Sequence, residues 1–453
     1  MNGHADNKAH VKTSRRTFLS GTAAAAGSAA LVGELSLART AHAAGSDEVK
    51  IALVGCGGRG TGAAVQALSN KSMPNVKLVA LADAFRDRVD LTLKAIQTRL
   101  PEKVDVPEER KFVGPECYQG VMAEKLVDMV LLCTPPGFRP VQFEAAVKAG
   151  KHVFMEKPLA TDAPGVRRVH AANEEAKRRG LLVAVGHHLR HEDKHREVVK
   201  RIHDGAIGEL KFLRVYFNSS GVWVRARQAF AAQLGRQPTE MEYQVRNWYY
   251  FTWLSGDHIV EQHVHDLDVG NWIAGAHPIE ANGMGGRQRR IGPDYGEIFD
   301  HHAVEFTYPN GVKMFSFCRH IPGCWGAFAE HAHGTKGSAN IQGHGTSELR
   351  VDGQDPVQWR RTADGHQTEH DDLFAALVAG RPYNEGDYGA TSTMTAILGR
   401  MATYSGKVVK WNEAWNSEVD LAPTGFAWDA EPKVKPGPDG LYPCAIPGVT
   451  KVW

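Results

Sequence analysis

Ile51-Ala52-Leu53-Val54-Gly55-Cys56-Gly57-Gly58-Arg59-Gly60 is the stretch that decides the fold. Its four leading apolar residues read as a buried strand, and the glycines at 55, 57 and 60 then spell G-x-G-x-x-G directly behind it. Gly55 permits a tight turn, Gly57 lets backbone approach a pyrophosphate, and Gly60 lets helix and strand pack closely. Gly58 and Arg59 lie within the same turn, and a helix expected over Gly62–Leu68 offers its N-terminal N–H groups to the phosphates. Working outward, a second strand at Val76–Ala82 leads to Asp83, 23 residues past Gly60, where a carboxylate can take the adenosine ribose hydroxyls. A carboxylate there repels a 2′-phosphate and favours NAD, while Arg86 close by keeps NADP open as the alternative.

The same alternation continues. Met129–Cys133 is a strand closed by Thr134-Pro135-Pro136, Phe143–Ala149 a helix, and His152–Met155 the next strand. Strands separated by helices imply βαβ units and a parallel sheet. Beyond residue 160 the pattern changes. Helices are expected at Gly165–Arg179 and Lys194–Asp204, with strands at Leu181–Val185 and Leu210–Phe217. Antiparallel strands follow at Ala303–Tyr308, Lys313–Cys318 and Ser338–Ile341, then a helix at Thr391–Tyr404. The expected fold class is α/β: an N-terminal Rossmann dinucleotide-binding domain over 44–165, then an α+β domain over 166–410 with an open, mostly antiparallel sheet. A Pro/Gly-rich tail over 411–453 is expected to wrap the surface.

Apolar residues at 42% and charged residues at 23% are the balance of a globular protein, and a net charge of +2 argues against a dedicated nucleic-acid binder. The N-terminus reads separately. Ser14-Arg15-Arg16-Thr17-Phe18-Leu19, an uncharged Ala/Gly-rich run to Gly33, and Ala41-His42-Ala43 form a twin-arginine export signal over 1–43 with its cleavage site. The run is too short and too weakly apolar for a permanent membrane span. The expected location is the periplasm, with the twin-arginine machinery as a partner. That route carries folded chains and suits a protein that takes up a cytoplasmic cofactor first. Six cysteines show no zinc-like spacing. Cys318 and Cys324 are the closely spaced pair, with a disulfide or buried free thiols both open.

Glu156-Lys157-Pro158-Leu159 places a lysine at the C-terminal edge of the sheet, where doubly wound folds bind their ligands. With the turn at Gly55–Gly60, Thr134-Pro135, the run Ala149-Gly150-Lys151-His152-Val153 leading into Glu156-Lys157-Pro158, and Gly186, the chain resembles the Gfo/Idh/MocA family. The resemblance covers nearly all of the chain after the export signal. It implies that Lys157 lies between nicotinamide and substrate, with Glu156 beside the cofactor. The family's second motif, an Asp, a His four residues on and an Asp three further, corresponds here to Glu261, His265 and Asp268. Glu261 replaces the commoner Asp, His263 a usual Gly, and His188 a frequent Asn. On a continuous helix Glu261 and His265 would share a face. His265 is then the general base, and Glu261 orients it or binds substrate hydroxyls. His188 and Trp253 are expected at the substrate, the latter from Asn247-Trp248-Tyr249-Tyr250-Phe251-Thr252-Trp253, whose rings suit sugar C–H faces or, equally, loop anchoring. His258, Glu261, His263 and His265 also invite a metal reading, but no zincin spacing is present, and no metal is expected.

The resemblance implies hydride transfer between nicotinamide and a sugar, polyol or related carbohydrate-like substrate, in a homo-oligomer built through the open sheet. Two other functions compete. One is glycoside cleavage by a bound, recycled NAD, and the other a sugar sensor that keeps the cofactor only as structure.

Overall fold

The structure, a computed structural model, describes residues 48–453, so the expected export signal and cleavage site lie outside the described residues. Six strands, β1 (Val49–Val54), β2 (Val76–Asp83), β3 (Lys111–Val113), β4 (Met129–Leu132), β5 (His152–Met155) and β6 (Val183–Val185), form a parallel sheet in the order β3-β2-β1-β4-β5-β6. The order reverses between β1 and β4, which opens a ligand crevice at the strands' C-terminal ends.

Strand periodicity sorts the core into two layers. Ile51 and Leu53 pack with Ala63, Ala64 and Ala67 of α1 (Gly58–Leu68) and with Val89 and Ile96 of α2 (Arg86–Arg99). Ala52 and Val54 pack on the other face, with Val121 of α3 (Tyr118–Ala123), Phe143 of α4 (Arg139–Lys148) and Val166 and Val169 of α5 (Ala163–Arg178). Each Val, Leu, Ile or Phe side chain among them contributes about 1.5–3 kcal/mol on removal from water, and each alanine methyl less. β6 pairs with β5, so the parallel sheet runs past the boundary expected at 165.

After α6 (Asp193–His203), β7 (Leu210–Ser219) enters a second sheet. A helical excursion follows: α7 (Arg227–Leu234), α8 (Glu240–Arg246), α9 (Thr252–Ser255), α10 (His258–Glu261) and α11 (Val264–Ala274). The sheet then takes β8 (Glu280–Gly286), β9 (His301–Thr307), β10 (Lys313–His320), β11 (Ala327–Gly334), β12 (Gly337–Gln342), β13 (Thr346–Val351) and β14 (Val357–Arg360). Two helices, α12 (Gly365–Val378) and α13 (Gly386–Ser405), precede β15 (Val409–Lys410) and α14 (Trp411–Trp415). Its order is β14-β13-β12-β11-β7-β10-β9-β8-β15, antiparallel except for β7 with β10. Along β9 and β10 burial alternates, so His302, Val304, Phe306, Met314, Ser316 and Cys318 face inward, toward α11 and the almost wholly buried α13. All six cysteines are free thiols, with Cys318 buried and Cys324 exposed, which settles the disulfide question. Among the described residues no helix is long and apolar enough to cross a membrane.

Candidate active site

The glycines at residues 55–60 divide by what surrounds them. A Cβ on Gly60 would lie 1.9 Å from the carbonyl oxygen of Gly55, and one on Gly55, at φ +99°, would lie 2.5 Å from the backbone nitrogen of Thr134. Gly57 and Gly58 have nothing within 4 Å of such an atom. Gly57 also caps α1 without a side-chain hydrogen bond. The helix N-terminus therefore carries a bare, open cradle of N–H donors, which fits a pyrophosphate. Asp83 accepts from the backbone N of Cys56 at 2.7 Å and of Phe85 at 2.9 Å, which holds its carboxylate at the rim of that cradle. Burial pushes its pKa up. Arg86 points elsewhere, pairing with Asp90 and Glu108. Thr134 donates to Gln142 at 2.6 Å, and the buried Arg139 braces the same edge by donating to Pro158 O at 2.7 Å and to Thr134 O. Pro135 follows and starts a single helical turn at 136–138.

Glu156 and Lys157 leave the end of β5. Arg59 donates its Nε to Glu156 at 2.7 Å. Burial alone would raise the Glu156 carboxyl, but the cations of Arg59 and Lys157 hold it below the usual range. Gly186 packs tightly beside it: a Cβ there would meet Glu156 Oε2 at 2.7 Å and shift that carboxylate. Lys157 Nζ donates to the backbone oxygen of Glu261 at 2.6 Å and approaches its carboxylate at 3.3 Å. Both side chains are largely buried.

His265 and His188 stand edge to face with ring centroids 4.7 Å apart. Burial, then the charge of Lys157, hold His265 well below the ordinary imidazole range. It is thus neutral at pH 7 and able to accept a proton. His265 Nδ1 and His188 Nδ1 are buried and have no hydrogen-bond partner among the described residues. Buried polar atoms of this kind are ordinarily satisfied by protein, water or a ligand.

Three expectations need correction. The helix expected to carry both Glu261 and His265 breaks: α10 ends at Glu261 and α11 begins at Val264, with Gln262 and His263 between them. Glu261 consequently turns to Lys157, and no hydrogen bond joins it to His265 among the described residues. Trp253 is no sugar platform. It is 2% exposed, donates to Gln244 at 2.7 Å and packs against Phe138 and Phe426. Among the neighbouring rings, Tyr249 donates its hydroxyl to Gln262, next to Glu261, at 2.9 Å, and Trp248 and Trp223 pack in turn behind it.

The histidine cluster also separates. His263 bonds Asp266 at 3.2 Å and Ser316 at 2.8 Å, deep in the core. His258 bonds Asp257 at 2.8 Å, and His302 lies 3.3 Å from the same carboxylate. Asp257, His258 and His302 bring their ligand atoms within 4.8 Å of one another, and Asp257 is also engaged by Tyr404 Oη at 2.7 Å and Phe299 N at 2.9 Å. Asp268 takes a two-pronged contact from Arg190 at 2.7 and 3.0 Å and a hydroxyl from Ser392.

Residues of α12 were not foreseen. His366 stacks on His188 at 3.9 Å, and Glu369 lies fully buried 3.8 Å from Arg59. Burial and the Glu156 charge push the Glu369 carboxyl far up.

Residues 49–187 match the family described as "Oxidoreductase family, NAD-binding Rossmann fold" (GFO_IDH_MocA). This segment is a Gfo/Idh/MocA-type NAD-binding domain. The Gfo/Idh/MocA-type domain contains the cradle, Asp83, Glu156 and Lys157, while His188, Glu261 and His265 lie beyond the match. Among curated proteins the chain is 26% identical over 257 residues to a 2,7-anhydro-N-acetylneuraminate hydratase of Escherichia coli (strain K12), covering 55% of this chain and 61% of that protein. It is 24% identical over 214 residues to a scyllo-inositol 2-dehydrogenase (NAD(+)) of Bacillus subtilis (strain 168), covering 47% and 51%. The chain thus spans about half to three-fifths of the length of these relatives. The fold extends further: an aldose-aldose oxidoreductase from Caulobacter crescentus complexed with glycerol superposes with TM-score 0.63 at 20% identity, over 80% of this chain and 99% of that one. A 3-ketoreductase from Actinomadura kijaniata in complex with NADP and TDP-benzene superposes with TM-score 0.60 at 19% identity, over 79% and 98%.

Proposed function

We propose that the chain is an NAD-dependent oxidoreductase that moves hydride between nicotinamide and a hydroxylated, sugar- or polyol-like substrate. The observation that supports this reading is the contact of Lys157, at the end of β5, with Glu261, together with the closeness of its charge to the neutral His265. A bound nicotinamide supplies the hydride acceptor or donor. Lys157 hydrogen-bonds the reacting hydroxyl, His265 takes its proton, and His188 helps define the pocket. Glu261 sets the position of Lys157. Gly57, Gly58 and the α1 N-terminus hold the pyrophosphate, and Asp83 takes the ribose hydroxyls. NAD is favoured over NADP because Asp83 opposes a 2′-phosphate while Arg86 is committed to Asp90 and Glu108. Activity on carbohydrate accords with relatives named as an inositol dehydrogenase and an anhydro-sugar hydratase.

Periplasmic location by the twin-arginine route belongs to the same reading. So does assembly through the open face of the second sheet, where Tyr216 stacks on Phe317 at 5.4 Å and Trp325 is 66% exposed.

The test is nicotinamide absorbance on adding sugars, polyols and aryl glycosides to pure protein charged with NAD. Net reduction of NAD is expected. Aryl release without net reduction would favour the recycled-cofactor glycosidase, which the relative named a hydratase makes worth testing. Failure to capture any dinucleotide would end both readings.

A further inference from the structure

We propose that the C-terminal tail builds the outer wall of the adenine subsite, with Trp428 as its stacking face. This rests on the dinucleotide reading above, but it concerns residues far outside the matched segment 49–187.

In a doubly wound sheet with this strand order, the adenosine half of a dinucleotide lies over the β1–β3 side. A cavity of about 670 Å³ opens there, lined by the end of β3, by Gly114 and Cys117, and by Ala427 and Trp428. Its size falls within the range of small-molecule sites. It adjoins Asp83 directly, since Gly114 N donates to Asp83 O at 3.1 Å. A ribose held by the Asp83 carboxylate therefore directs its base into this space.

The tail's presence here is fixed by specific contacts. Trp428 stacks on Phe85, two residues past Asp83, with centroids 5.4 Å apart and planes 27° from parallel. Phe85 also meets Phe230 at 5.9 Å, and the Arg246 guanidinium sits 5.0 Å above its ring while bonding both Asp87 oxygens, at 3.0 and 2.8 Å. Trp428 O accepts from Thr239 at 2.6 Å, and Val434 O from Gln244 at 2.8 Å. Upstream, Leu421 N donates to Asp162 at 2.8 Å, and Phe426 packs between Phe138 and Trp253. One strap thus ties the nucleotide sheet to the 220–253 segment. An indole held rigidly at the cavity's edge gives a purine a flat apolar face, the interaction that single-stranded nucleic-acid sites use for every base.

The experiment separates the two halves of the cofactor. Binding of ADP-ribose, nicotinamide mononucleotide and NAD to the full chain is measured by calorimetry for the wild type, Trp428→Ala and Trp428→Phe. Expected is a loss of about tenfold in ADP-ribose and NAD affinity for Trp428→Ala, recovery in Trp428→Phe, and unchanged affinity for the mononucleotide. Equal ADP-ribose affinity in wild type and Trp428→Ala overturns the proposal. So does an equal loss for both fragments, which would mean a general loosening. If ADP-ribose binding depends on Trp428 but no sugar is ever oxidised, the subsite stands and the oxidoreductase reading falls. If the wild type binds no ADP-ribose, both fall.

Discussion

Lys157 Nζ reaches the backbone oxygen of Glu261 at 2.6 Å and the carboxylate of the same residue at 3.3 Å, so one ammonium bridges the end of β5 and the turn that leads to His265. The bridge orients the lysine without consuming all of its three donors, which leaves one for a substrate oxygen. Lys157→Met keeps the stem and removes the donors. Turnover should fall by roughly 10²–10⁴-fold while NAD still binds, checked by single-turnover kinetics alongside calorimetry. Full activity in this variant would remove the lysine from the chemistry.

With His265 as the base of the proposed reaction, its titration should set the acid limb of the rate profile. A base must be neutral to act, and burial together with the Lys157 charge pushes this imidazole well below its ordinary 6.5. The neutral form therefore persists as pH falls, and kcat/KM should stay level through pH 6.5 and decline only below it. His265→Gln should lose roughly 10²–10⁴-fold and the limb with it. In Lys157→Met the residual activity should show the limb moved to higher pH, because a charge that depressed the imidazole is gone. A limb at or above 6.5 in the wild type would contradict the assignment.

These residues were readable to different depths in the sequence. β1, its glycine turn and β5 were plain, because parallel strands buried on both faces are runs of apolar residues and the turn needs glycine for steric reasons. α1 starts at Gly58 rather than Gly62, since a glycine-rich first turn looks like loop when judged by side chains alone. The break at Gln262–His263 left no mark, for periodicity extends a helix through any polar pair. α12 was missed for a related reason. Its inward residues include Glu369 and His370, so the stripe that signals an amphipathic helix is partly polar. The tail's route was illegible: Trp428 finds Phe85 across most of the chain, and stacking carries no sequence period.

Asp83 should govern the choice of cofactor. Its two carboxylate oxygens accept separately from Cys56 N and Phe85 N, and in Asp83→Asn the amide oxygen keeps one of these bonds while the NH2 group gives up the other. Removing the charge removes the repulsion of a 2′-phosphate. The ratio of NADP to NAD affinity should rise by about tenfold, or roughly 1.4 kcal/mol, as measured by competitive binding. An unchanged ratio would transfer the selectivity to another group.

Glu297 offers a stability test independent of catalysis. Its carboxylate accepts from Thr252 N at 2.9 Å, and burial pushes its pKa up to about 7. In the unfolded chain it ionises near 4.5, so between these values the folded state holds a proton that the unfolded state has lost. Its contribution to stability is complete below pH 4.5 and fades as pH rises through 7. Glu297→Gln has no such proton to lose. The stability of the variant relative to wild type should rise between pH 4.5 and 8 by an amount on the order of 3 kcal/mol, measured by denaturant unfolding at each pH. A flat difference would mean the group ionises normally.

Two glycines in the same turn should fail in opposite ways. A Cβ at Gly60 would lie 1.9 Å from the Gly55 carbonyl oxygen, a backbone atom that cannot swing aside. Gly60→Ala must push α1 away from β1 and should cost about 1–3 kcal/mol or more, visible as a lowered Tm in the cofactor-free protein. At Gly57 nothing lies within 4 Å of an added Cβ, so Gly57→Ala should leave that Tm unchanged. The open space at Gly57 is the approach that a pyrophosphate needs, and a methyl group there obstructs it. Gly57→Ala should therefore lose dinucleotide affinity while the fold is intact. If it binds NAD as the wild type does, the cradle is not where the phosphates rest. If Gly60→Ala melts normally, the close approach of α1 to β1 is not as drawn.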